Sequence, residues 1–84
     1  MNYVLDVADL FVARCPNVAI LDPMDFTIIA EWEKQEIPIA VVFDSINRSF
    51  EPGQDVAEIG SIGDIRNTVK RTYIDWLQAS AAAE

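Results

Sequence analysis

Histidine is absent from these 84 residues, which removes the Ser-His-Asp triad, the histidine-ligated metal centre and the commonest general base at neutral pH. Cysteine occurs once, at Cys15, so no disulfide forms within the chain, and a lone thiol fits a reducing, cytoplasmic setting. Only three glycines are present, and Gly60 with Gly63 lacks the spacing of a phosphate-cradling loop. Ser45, Ser49, Ser61 and Ser80 occur in no nucleophile-elbow context. Positive charge is scarce as well. Six Lys and Arg stand against fourteen Asp and Glu, a net charge of −8 that repels a polyphosphate backbone and disfavours nucleic acid as a partner. No apolar run approaches the roughly 20 residues of a membrane span. The opening "MNYVLDVADLF" interrupts its apolar stretch with Asp6 and Asp9 and has no basic flank, so it does not read as a signal peptide. An enzyme and a membrane protein are not expected, and neither is a catalytic, metal or cofactor site.

What is present is an ordinary globular composition, 51% hydrophobic and 24% charged, which argues for one folded domain over 1–84. At this length roughly 60% of the unfolded surface is buried on folding, enough for a small core. The stretch "EIPIAVVFDSINRSF" decides the class. Ile39, Val42, Phe43, Ile46 and Phe50 fall within about 60° of one direction at helical periodicity, with Asp44, Arg48 and Glu51 opposite, whereas strand alternation explains only its first half. Asp22, Pro23 and Asp25 have the cap, first-position and first-turn chemistry of a helix start, and Ile28, Ile29 and Trp32 share the face that follows. The short "QEIP" connection makes the two helices a central hairpin. "EPGQDVAEIG" shows no period and reads as a mobile loop, 52–60. Ser61 and Asp64 resemble a capping box before the face Ile62, Ile65, Val69, Tyr73, Trp76 and Leu77. The expectation is an all-α, four-helix domain with helices at about 2–14, 23–35, 38–51 and 62–79.

The carboxylate pairs Asp6/Asp9, Asp22/Asp25 and Asp55/Glu58 lie outside any calcium-loop pattern and read as solvated or helix-end charges. Cys15 reads as an inert structural thiol. Trp32, Tyr73 and Trp76 at helical spacing read as packing, with Trp32 and Trp76 expected in the core beside Phe43. The apolar inventory then exceeds what four short helices hide. Val41 is opposite the expected core face of its helix, and the first helix is apolar over more than half its circumference. Surplus of this kind marks an interface, so Val4, Leu5, Phe11 and Val12 are the expected contact residues of a homodimer, or of a contact with another protein.

From Asp22 onward, "DPMDFTIIAEWEKQEIPIAVVFDSINRSF" and the later "TYIDWL" resemble the small helical domain of DnaD-like primosomal and phage replication proteins, and are similar also to small uncharacterised helical bacterial proteins. The resemblance places Pro23, Ile29, Trp32, Ile39, Val42, Ile46, Tyr73 and Trp76 at family-like packing positions. It implies a replication-type module, for which Arg66, Lys70 and Arg71 on the last helix would supply weak nucleic-acid contact. With the chain's acidity against that contact, a non-enzymatic protein–protein interaction module ranks first.

Overall fold

The computed structural model describes residues 2–82, and among them every regular element is helical: α1 (Tyr3–Arg14), α2 (Pro23–Lys34), α3 (Ile39–Ser49) and α4 (Arg66–Ala82), with short 3-10 turns at Val56–Glu58 and Ile62–Ile65. The protein is a small all-α, four-helix domain. Its shortest dimension, 19 Å, is about two helix diameters. A plate this thin has few fully covered positions.

Local chemistry sets the helix ends. The Asn2 carboxamide oxygen accepts the Leu5 amide at 3.1 Å, opening α1. At α2 the Asp22 carboxylate accepts the Met24 amide at 2.9 Å and the Asp25 carboxylate accepts the Asp22 amide at 3.2 Å, a reciprocal capping box. Helix α2 closes with the Ile37 amide donating to the Trp32 carbonyl and the Glu36 amide to the Glu33 carbonyl, which is a Schellman motif. Its left-handed position falls on Glu36, at φ 61°, where glycine is the usual occupant. The next turn is better served. Pro52 and Gly53, at φ 96° and followed by a Gln54 amide bonded to the Glu51 carbonyl, build a type II turn. Pro38 caps α3 rather than beginning it, its carbonyl accepting from Val41 and Val42. The segment expected to open the last helix at residue 62 is a 3-10 turn first, with the Asp64 carboxylate holding the Gly60 and Ser61 amides at 2.8 and 3.1 Å. Regular α-helical structure starts at Arg66.

Helix α1 packs against both α2 and α3, and α3 packs on its other side against α4. The central hairpin expected from sequence is not formed as a packed pair: α2 and α3 scarcely touch each other, and α1 and the Ile62–Ile65 turn bridge them. The wide apolar arc of α1 follows from this. Val7, Ala8 and Phe11 are buried while Tyr3, Val4, Leu10 and Val12 are half-covered, because two helices rather than one take up the face. Phe11 is therefore a core residue and not the contact residue expected from sequence; its ring meets Phe50 edge-on at 5.8 Å between centroids.

Helix α3 is rotated from the expected face. Val41, Val42, Ser45, Ile46 and Ser49 are buried, and Ile39, Phe43 and Phe50 are only half-buried. Val41, expected opposite the core, is 2% exposed because α4 covers that side. Ser45 and Ser49 satisfy their hydroxyls by donating to the Val41 and Ser45 carbonyls at 2.7 and 2.8 Å, so a serine stripe is buried without an open donor. The 3-10 turn Ile62–Ile65 completes the core, placing Ile62 and Ile65 against α2, α3 and α4. The buried Asp25 carboxylate ties this turn to α2, accepting the Ile62 amide at 3.0 Å. Beyond Tyr73, residues 74–81 of α4 are all exposed. Trp76 is thus 44% exposed rather than in the core, and it stacks on Tyr73 at 6.2 Å.

Candidate functional site

An apolar depression lies between α1, α2 and the segment joining them. It encloses about 420 Å³ and is lined by Leu5, Val12, Ile20, Leu21 and Phe26, with Asp9 on its wall. Helix α1 presents Leu5 and Val12 to it because they flank the buried stripe of Val7, Ala8 and Phe11 at helical spacing. The connecting segment adds Ile20, which is 87% exposed although isoleucine ranks among the most often buried residue types. Leu5 is 52% exposed, and Phe26 also stands partly in solvent. Of the four contact residues expected from sequence, Leu5 and Val12 line this groove, Val4 is half-covered outside it, and Phe11 is buried beneath. Ile20 was not legible as a site residue, since an apolar residue in an aperiodic loop carries no facial signal.

A second depression is a furrow between α3 and α4. Ala40, Val41, Asp44, Trp76 and Ala79 surround one half, about 430 Å³, and Ser49, Gln54, Thr68 and Arg71 surround the other, about 220 Å³. Arg48 and Thr72 belong to both halves.

The three cations of the last helix are exposed, Arg66 and Lys70 lining one shallow depression and Lys70 and Arg71 the next. Arg66 donates through Nε to the Gly63 carbonyl, Arg66 and Lys70 flank Trp32 and Tyr73, and Arg71 turns toward α3. Among the described residues none of them has a carboxylate partner, the ion pair present being Arg48 with Asp44 at 3.0 Å.

The other candidate groups have structural partners. Asp22 and Asp25 serve the α2 cap, with Asp25 also reaching Ile62, and among the described residues no group of three or more acidic or cysteine side chains converges as metal ligands would. Cys15 is buried, its thiol donating to the Ile59 carbonyl at 3.3 Å. The Tyr3 hydroxyl donates to the Ile37 carbonyl at 2.8 Å, and burial, with the Glu33 carboxylate adding to it, pushes the phenol up to about 12. No helix among the described residues is long and apolar enough to cross a membrane. No protein-family model matches the chain, and no curated protein or solved structure matches it.

Proposed function

We propose that the chain is a non-enzymatic interaction module that associates with a second copy of itself through the α1–α2 groove. The observation that carries this reading is the exposure of Ile20 at 87% on the rim of an apolar groove that also holds Leu5, Val12 and Phe26. Burying one such side chain is worth about 1.5–3 kcal/mol. In an isologous contact each copy contributes Ile20 once as a knob and the groove once as its receptor, so the gain is made twice. The non-enzymatic part rests on where the polar groups are committed: Asp25, Ser45, Ser49 and Cys15 are all engaged with backbone groups.

Light scattering across a dilution series tests the reading. Dimer at high micromolar concentration is expected, with Leu5→Glu together with Ile20→Glu giving monomer of unchanged helical circular dichroism. A parent that stays monomeric throughout overturns it. Weak nucleic-acid contact through Arg66, Lys70 and Arg71 is the second reading, favoured by the absence of carboxylate partners for these cations among the described residues. Retention on immobilised single-stranded DNA that falls steeply with salt would support it.

A further inference from the structure

We infer that the α3–α4 furrow is a binding site for a small anionic amphiphile, with its carboxylate or phosphate head in the polar half and its aliphatic body along the apolar half. The two depressions meet at Arg48 and Thr72 and differ in chemistry. At the polar end the guanidinium groups of Arg48 and Arg71 come from different helices to the same cleft, joined there by Gln54 and the Thr68 hydroxyl. At the apolar end Val41, Ala79 and the indole of Trp76 form the walls.

Thr72, at the junction, adds a hydroxyl to the lining of both depressions. Its side chain is 6% exposed and lines the furrow, yet its hydroxyl makes no hydrogen bond with any described residue. Ser45 and Ser49 of α3 instead donate to the carbonyl four residues back. The Thr68 and Thr72 hydroxyls face the furrow, where an oxyanion would accept from them. Arg48 is available although it pairs with Asp44, because that pair uses Nε and leaves the terminal nitrogens to a second acceptor.

Charge also fixes the polarity of the ligand. Asp75 edges the apolar half and repels an anion there, whereas Asp44 is held by Arg48 and Arg71 has no carboxylate partner among the described residues, so the head is drawn to the Arg71 end in a protein of net charge −8. A cationic amphiphile would meet the opposite arrangement at the arginine end. A simple anion without an apolar body would leave the half-exposed indole of Trp76 uncovered.

Trp76 makes the test direct, since its fluorescence reports on the furrow wall. The protein is titrated with octanoate, octyl phosphate, octanol, octylammonium and inorganic phosphate, each below its micelle-forming concentration, with Trp76→Phe as the control for the signal. Saturable binding of octanoate, octyl phosphate or both is expected, their ratio distinguishing a carboxylate from a phosphate head. Arg48→Gln with Arg71→Gln should weaken that binding by at least about tenfold, the value of a charge-assisted hydrogen bond. Ala79→Glu, at an exposed position in the apolar half, should weaken it independently. Both variants are checked for unchanged helical content, and calorimetry gives a second binding signal. Equal binding of octanol or octylammonium overturns the site, and so does inorganic phosphate binding as tightly as octyl phosphate. Octanoate and octyl phosphate both failing to saturate, or being indifferent to the arginine pair, overturns it as well.

Discussion

Glu36 is held in a left-handed conformation, φ 61°, that costs a residue with a Cβ about 1–2 kcal/mol. It occupies the position of the α2 Schellman motif where glycine is strongly enriched, and the bonds that define the motif come from backbone amides. Glu36→Gly should therefore stabilise the protein by about 1 kcal/mol, the relief of strain exceeding the added freedom of the unfolded chain. Thermal denaturation checks this; a lower midpoint would mean that the glutamate side chain has a compensating contact. Tyr3 behaves differently, since its phenol is raised to about 12 by burial and by Glu33. A folded-state value above the unfolded value near 10 means that the neutral phenol is preferred in the fold. Its stabilising contribution is complete below about pH 10 and is lost as pH rises through about 12. Two tyrosines are present, so in Tyr73→Phe the ultraviolet titration reports Tyr3 alone. A midpoint near 10 in that variant would place the hydroxyl in water and contradict its bond to the Ile37 carbonyl.

Helix α3 shows which elements were legible in the sequence and which were not. The start of α2 was, because Asp22, Pro23 and Asp25 act over a single turn and need no knowledge of the rest of the fold. The existence of α3 was also legible from its periodicity. Its buried face was not, because Ser45 and Ser49 count as polar until their hydroxyls are seen bonded to carbonyls of their own helix. Once they do, Val41, Ser45 and Ser49 form a small-residue stripe that α4 covers, and the core shifts away from Phe43. Val41→Ala should then cost about 2 kcal/mol in urea unfolding, from two lost methylene equivalents and the space they leave. No change would restore Val41 to the outer face. Phe43→Ala, at a half-buried position, should cost less than the 3–5 kcal/mol of a fully enclosed phenylalanine. The same reasoning applies to the groove. Leu5 and Val12 could be found by helical spacing, while Ile20 and the convergence of Arg48 with Arg71 depend on which helices become neighbours.

For the molecule as a whole, charge opposes the proposed self-association. Two copies at −8 repel each other, and Asp9 lies on the groove wall itself. Raising salt from about 0.01 M to 0.15 M shortens the screening length from about 30 to 8 Å, so dimerisation should strengthen with salt. Nucleic-acid binding would weaken over the same range, and a dilution series at both salts separates the two. The placement of α1 has a further consequence for how the chain reaches this state. Helices α2 and α3, neighbours in sequence, are joined through α1 and the Ile62–Ile65 turn rather than by a direct interface, so no finished hairpin exists for α1 to dock onto last. Its arrival and the closure of the core become one event. Amide protons of Val7, Ala8 and Phe11 should then exchange with deuterium only as slowly opening molecules unfold entirely, at the same rate as those of Val42 and Ile46.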